Sequence, residues 1–167
     1  MEIADTIPPG SERAFQIGDR TPAGSLAALP DVHRRLFEDP VTASLATLTA
    51  GGHAQLTPVW TNMDGEHVFL NSVAGRAKDR NLRERPDVSL MLVNPQNPYH
   101  WLTVYGRVTE VIQEDDPERG HLATENIDDL AEKYLGQRPY PLRNPSGELR
   151  VRYRVEPRRV VTFGPVG

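Results

Sequence analysis

Two glycine-bearing turns limit what this chain can fold into. Val41 to Ala50 (VTASLATLTA) is rich in β-branched residues and ends at Gly51-Gly52. Ala54 to Met63 follows and meets Asp64-Gly65, after which His67 to Val73 (HVFLNSV) returns. Gly-Gly and Asp-Gly between such runs are signals for two-residue hairpins. Neither connection has room for the helical crossover that parallel strands require. The three runs are therefore expected to form an antiparallel meander.

Further strands continue the pattern. Asp87 to Asn94 (DVSLMLVN) is apolar nearly throughout, which predicts a strand covered on both faces. The loop NPQNPYH leads into Trp101 to Ile112 (WLTVYGRVTEVI), where Gly106 predicts a bulge or bend. Arg150 to Glu156 alternates charged and apolar residues and resumes beyond Pro157 as Arg158 to Phe163. Three segments have helical patterning. Asp31 is placed to cap a short helix carrying Val32, Arg35, Leu36 and Phe37, which stops near Asp39-Pro40. A second helix follows residue 75. In the third region, 114 to 136, Asp116-Pro117 offers a start, and Asn126 with Asp129 offers another that resembles a capping box. Ile127, Leu130, Ala131 and Tyr134 fall on one face there, and Gly136 is a stop. About six antiparallel strands with two or three helices predict a mainly β fold, a small closed or split β-barrel.

Residues 31–167 read as one domain with no internal repeat. Residues 1–30 read as an irregular arm, because Pro8, Pro9, Gly10, Gly18, Pro22, Gly24 and Pro30 interrupt every periodic pattern. Its few apolar residues (Ile7, Phe15, Ile17, Leu26, Leu29) are available to lie on the domain or on a second subunit. The chain has no cysteine, which excludes disulfides, thiolate nucleophiles and cysteine-ligated metal sites. A net charge of −4 argues against a general nucleic-acid binder. Neither a secretory signal nor an apolar membrane-spanning run is present, so a cytoplasmic protein is expected.

The chemistry-bearing segment is Asn71 to Leu82, NSVAGRAKDRNL. Gly75 allows a tight exit from the third strand, and Arg76-Ala77-Lys78 opens the following helix. Free N–H groups at a helix start, with two cationic side chains, suit a phosphate. Asn71 and Ser72 bring an amide and a hydroxyl to the strand end. Charge pattern alone favours a solvated basic helix, with Arg76, Arg80 and Arg83 on one face and Asp79 pairing to Arg83. Neither a Walker loop nor a G-x-G-x-x-G fingerprint is present.

The ordered series AQLTPVW, a D-G turn, a strand ending in NS, GRAKDRNLRERPDVSLMLV and HWLTVYGRVTEV resembles the pyridoxamine-phosphate-oxidase-like split-barrel family. With KYLG and the closing EPRRVVTF, the resemblance runs from about Pro30 to Phe163. Within that family it is most similar to the flavin/deazaflavin oxidoreductase branch, many of whose members use coenzyme F420. The resemblance implies a homodimer with the cofactor at the subunit interface. It implies Arg76 and Lys78 as phosphate ligands, with Asn81 and Arg80 as weaker candidates. Thr57, Pro58, Val59 and Trp60 would border the ring, as would Asn71, Ser72 and Val73, while Tyr99 and Trp101 lie in the segment that usually comes from the partner. The implied activity is hydride transfer from reduced F420 to an unsaturated or quinone-like small molecule. An FMN-dependent oxidoreductase and a non-catalytic flavin or deazaflavin carrier are the alternatives.

Other charged residues read more plainly. His33, His53, His67, His100 and His121 show no metal-binding spacing, and His100 adjoins the expected pocket. Glu114, Asp115 and Asp116 resemble helix-start charges. Arg150, Arg152 and Arg154 alternate with apolar residues as on a half-exposed strand. Arg150 and Arg158 are candidates for the acidic tail of F420.

Overall fold

Alternating burial along the chain organises one large sheet. We describe residues 2–6, 25–144 and 147–164 of a computed structural model. The strands are β1 (Glu2–Thr6), β2 (Ala43–Leu48), β3 (Ala54–Val59), β4 (Thr61–Met63), β5 (Val68–Val73), β6 (Asp87–Val93), β7 (Trp101–Gln113) and β8 (Arg150–Phe163). The helices are α1 (Asp31–Glu38), α2 (Ala77–Glu84) and α3 (His121–Leu135), with a short 3-10 turn at Leu26–Ala28. Hydrogen bonding runs β3-β2-β6-β7-β8-β5-β4, antiparallel throughout, and β1 adds to β8 in parallel. The fold is mainly β, and its hydrogen-bonded path is not closed, as in a split barrel.

The expected meander breaks at Trp60. β2–β3 and β4–β5 are hairpins, but β3 and β4 sit at opposite ends of the sheet path. One residue separates them, so a single bent segment supplies both ends. Pro58 suits β3 as an edge, since it has no N–H to donate to a further strand. Both hairpin loops exceed the expected two residues. Leu48 pairs with Ala54 and Met63 with Val68. The Thr49 hydroxyl bridges to His53, and Asp64 accepts the Glu66 and His67 amides, so side chains satisfy the wider turns.

β6 also differs from expectation. Val88, Leu90 and Leu92 point into the core, whereas Met91 is exposed, so a single chain covers only one face. Gly106 does mark an irregularity in β7–β8 pairing. A Cβ there would lie 2.7 Å from Val155 Cγ1 and 2.8 Å from the Glu156 carbonyl oxygen, so the crossing of the two long strands requires glycine.

Helix starts are where the pattern misled. Asp31 is the first residue of α1 and makes no capping bond. Asp116 instead closes a turn, accepting the Glu118 and Arg119 amides, and α3 begins at His121. Asn126 is buried inside α3, with its side chain committed to Asn62 and Asn71, so no second start exists. Gly136 ends α3 as expected. Of the N-terminal segment, Glu2–Thr6 forms a strand where an irregular arm was expected. Leu26 and Leu29 belong to the core. Residues 7–24, with Ile7, Phe15 and Ile17, lie outside the described residues. No helix among the described residues is long and apolar enough to cross a membrane.

The end of α3 holds the break at Trp60. Tyr134 stacks on Trp60 with ring centroids 5.1 Å apart, and its hydroxyl donates to the Val41 carbonyl at 2.7 Å while accepting the Thr61 amide at 3.3 Å. Lys133 donates to the Thr61 carbonyl at 2.9 Å and to the Phe37 carbonyl in the last turn of α1. Burial draws the Lys133 ammonium down to about 8, partly countered by Asp39 and Glu38. The KYLG segment therefore joins α1, β2, the β3–β4 break and α3. Tyr134→Phe keeps the stacked ring but strips the Val41 and Thr61 groups of their partner. We expect a loss of about 1–3 kcal/mol in urea unfolding. An unchanged midpoint would show that the hydroxyl does not hold the break.

Candidate functional site

The corner after β5 is shaped from within. Gly75 has φ +79, a conformation that side-chain-bearing residues rarely adopt, and it turns the chain into α2 with Arg76 at the N-cap. The buried Asp79 carboxylate accepts the Gly75 N–H at 2.8 Å, the Tyr153 hydroxyl at 2.6 Å and Arg83 Nε at 2.8 Å. Burial pushes Asp79 up, but the bonds from Tyr153, Gly75 and Arg83 leave it below the usual aspartate value. The same contacts, burial first, push the Tyr153 hydroxyl well above its ordinary range.

Those contacts sort the cations. Arg83 is taken by Asp79, as the surface-helix reading anticipates, and Arg80 donates back to the Gly75 carbonyl at 2.5 Å. Arg76 meets only the edge of Glu148, at 4.0 Å. Lys78 has no hydrogen-bond or ion-pair partner among the described residues. Burial, with Arg76 adding to it, lowers its ammonium below the ordinary lysine value.

Arg76 and Lys78 border a cavity of about 460 Å³. Pro58, Val59 and Trp60 line one side, Asn71 and Ser72 the strand end, and Ile127 and Leu130 the α3 side. Tyr140, Leu142, Glu148 and Arg150 come from the segment after α3, and Thr42 completes the wall. Asn71 Oδ1, Ser72 Oγ and Arg150 Nε are buried side-chain atoms of this lining with no partner among the described residues. Buried polar atoms are normally satisfied, so three in this one lining mark a place for a polar ligand or water. The Asn71 orientation follows from chemistry. Its Nδ2 faces the Ala123 carbonyl at 3.0 Å, which can only accept, and Asn126 Oδ1 at 3.2 Å, so Oδ1 remains as an acceptor.

Aromatic rings close part of the wall. Trp60 stacks on Tyr134 and meets Tyr140 edge-on at 6.1 Å, and the Arg150 guanidinium lies 4.7 Å from the Tyr140 ring centre.

The structure thus brings together Pro58, Val59, Trp60, Asn71, Ser72, Arg76 and Lys78, and leaves the other expected residues outside this lining. Asn81 is buried against Thr47 and Gln55 as a structural amide, and Arg80 is used by the Gly75 carbonyl. Thr57 lies one residue short of the lining and Val73 one beyond the strand end that contributes to it. Tyr99 is exposed, and Trp101 stacks on Phe163 at 5.7 Å, both away from the cavity of their own chain. His100 is also elsewhere. It is buried against His33 at 3.2 Å and Asn94 at 3.0 Å, beside a separate cavity under α1.

Sequence reasoning did not place Tyr140, Leu142, Glu148, Ile127 or Leu130 in the site. Residues 137–144 and 147–149 have no periodicity, and their position depends on contacts to Asp128, which accepts the Tyr140 N–H at 2.9 Å, and to Glu114. That carboxylate is not a helix-start charge. It accepts from Arg143 at 2.6 and 3.1 Å, from Thr124 at 2.5 Å and from the Arg150 N–H at 3.1 Å, fastening the segment over the cavity. The arginine row of β8 divides likewise: Arg150 is buried at the cavity, Arg152 lies over Phe69, and Arg158 faces Asp87.

With the geometry in place, comparison with known proteins is informative. The family profile described as pyridoxamine 5′-phosphate oxidase matches residues 29–162. The chain belongs to that family. No curated protein sequence matches the chain. Among solved structures, the pyridoxamine 5′-phosphate oxidase fold recurs in an F420 reductase, with TM-score 0.65 and 28% identity over 79% of this chain and 98% of that one. It recurs in a conserved hypothetical protein from Mycobacterium tuberculosis, with TM-score 0.61 and 20% identity over 89% and 98%. The heme-storage protein HutZ from Vibrio cholerae shares it too, with TM-score 0.57 and 19% identity over 78% and 92%. Members of the family with these names differ in function, so the fold does not assign one.

Glu114 gives the site a pH dependence. Hydrogen bonds from Arg143 draw it down against the opposing effect of burial, with Thr124 and the Arg150 amide adding, to about 2 from 4.5. A carboxylate depressed in the folded state stabilises fully above its unfolded value and loses that contribution as pH falls through the folded one. Thermal midpoints should therefore fall between about pH 4.5 and 2. Glu114→Gln should be less stable at neutral pH and show a shallower fall over that window. Equal slopes would remove Glu114 from this role.

Proposed function

We propose that this chain is an F420-dependent oxidoreductase of the PPOX class. In this reading it passes a hydride from reduced F420 to an unsaturated or quinone-like small molecule. The observation that carries the proposal is the composition of one cavity lining. Arg76, which meets Glu148 at 4.0 Å, and Lys78 stand with the buried Asn71 Oδ1, Ser72 Oγ and Arg150 Nε, and Lys78 and these three atoms have no partner among the described residues. Cations at a helix start fit the phosphate. An amide acceptor, a hydroxyl and a guanidinium donor fit a ribityl chain or the edge of a ring, and Pro58, Val59 and Trp60 give it an apolar wall. The likeness to the F420 reductase favours deazaflavin. FMN is the second reading, favoured by the family profile and served by the same phosphate corner.

The bound cofactor would supply the hydride chemistry, and the protein supplies the rest. Lys78 and Arg76 would hold the phosphate end. Asn71, fixed through Asn126 and Asn62, presents its acceptor at a set angle. Glu114 keeps Tyr140 and Leu142 over the cavity, and the proton that completes reduction of the acceptor would be taken from water at the cavity mouth.

The proposed active form is a homodimer, with Tyr99 and Trp101 reaching the partner's site. Its support is the outer face of β3-β2-β6-β7, where Leu48, Leu56, Met91 and Tyr105 are exposed. Leu56, Ala46, Ser89 and Tyr105 are paired in one row across four strands, so these side chains share a face.

Protein made in a host without deazaflavin should be near-colourless and should bind added F420. Tight retention of yellow FMN with no F420 binding would reverse the preference. Saturated cofactor that passes no electrons to any of a broad set of acceptors would indicate a carrier. Arg76→Ala and Lys78→Ala should each cost about 1–3 kcal/mol of cofactor binding in fluorescence titration, as lost charged hydrogen bonds. Unchanged affinity in both returns the corner to a plain surface helix.

A further inference from the structure

We infer that Glu148 weakens this site's preference for a doubly charged phosphate monoester over a singly charged phosphodiester. The inference rests on the proposed cofactor site and concerns which phosphate that site accepts. Glu148 is the acidic side chain of the cavity lining, where it stands with Arg76, Lys78 and Arg150. Its carboxylate is largely buried, at 11% side-chain exposure, and lies 3.3 Å from Arg150 Nη1 and 4.0 Å from Arg76 Nη2. The chain fixes it there. The Ala74 N–H donates to the neighbouring Leu149 carbonyl at 2.9 Å, and the Arg150 N–H to Glu114 at 3.1 Å, so the chain directly after Glu148 is held against the corner.

This placement changes the charge that an incoming phosphate meets. Three cations face the cavity, but a fixed anion sits between two of them and offsets part of their field. Repulsion from a fixed anion scales with ligand charge at a given distance, whatever the effective dielectric. A phosphomonoester, whose second proton leaves near pH 6, therefore feels about twice the penalty of a diester at neutral pH. FMN carries a monoester. F420 carries a diester in its side chain. Arg150 Nε and Lys78, without a partner among the described residues, still provide donors for the oxygens of either ligand, so the site binds both and Glu148 narrows the difference that their charges make.

The test compares two ligands with the same ring and chain, FMN and riboflavin 4′,5′-cyclic phosphate. Affinities for wild type, Glu148→Gln and Glu148→Ala are measured at pH 7.5 by flavin and Trp60 fluorescence, with F420 as a third ligand. Thermal midpoints identify any variant that has not folded. With repulsion proportional to charge, the fold-gain for FMN should be about the square of the gain for the cyclic ester, for example about tenfold against about threefold. Equal gains for the two flavins, or no gain in either folded variant, would overturn the role of Glu148 and leave the cofactor site intact. Failure of wild type to bind F420 and both flavins would instead overturn the site itself, and this inference with it.

Discussion

The geometry of the site depends on one buried charge. Asp79 sits inside the corner at 4% exposure, where an unpaired carboxylate would be costly. Three donors compensate for that burial, and each comes from a different place: the turn at Gly75, the next helical turn at Arg83, and Tyr153 deep in β8. The strand end, the helix start and the core are thus bound to a single group. The arrangement also separates the four cations of α2 and its cap by task. Arg83 is consumed in balancing Asp79, Arg80 in satisfying the Gly75 carbonyl, and the two that remain are those beside the cavity. A basic surface helix and the proposed anion site are therefore one object here, with the structural part supplied by Asp79.

A second constraint sets the apolar side. β3 and β4 are two parts of one chain segment but lie at opposite ends of the hydrogen-bonded path. The break at Trp60 leaves backbone groups that no strand can satisfy, and Tyr134 and Lys133 reach them from α3. This contact fixes the Trp60 ring by stacking and brings Ile127 and Leu130 to the same cavity. The split of the barrel and the wall of the site share one cause.

Much of this was legible in the residues, because local rules governed it. The hairpins, the Gly106 irregularity, the Gly75 corner and the Gly136 stop each follow from φ, spacing or turn chemistry within a few positions. What could not be read depended on contacts between distant segments. Nothing near Trp60 announces that the run Ala54 to Met63 divides, since the groups that receive it are Lys133 and Tyr134. Asn81 looked available for a ligand until Thr47 and Gln55, from another hairpin, were seen to use it. Glu114 looked like a helix-start charge for the same reason: its partner Arg143 stands 29 positions away. The segment carrying Tyr140 and Glu148 has no period at all, and contacts from distant residues, Glu114 to Arg143 and Asp128 to the Tyr140 N–H, give it a position.

The cavity of a single chain remains open, and this bears on its chemistry. Arg76 has 58% of its side chain exposed, Leu142 65% of its surface, and Pro58 is exposed as well. Charged hydrogen bonds and hydride chemistry both gain from the exclusion of water, because a lower local dielectric strengthens every fixed interaction at the site. Among the described residues, cover comes from Tyr140 and Leu142, on the Glu148 side. On the opposite side the edge strand β3 carries Pro58 next to Leu56, the most exposed of the large apolar residues. An apolar face that continues directly into the rim of a polar cavity is poorly suited to contact with water. Under the proposed dimer, covering Leu56, Met91 and Tyr105 would close the mouth by the same burial that joins the subunits. The loop bearing Tyr99 would then serve a site that its own chain does not line.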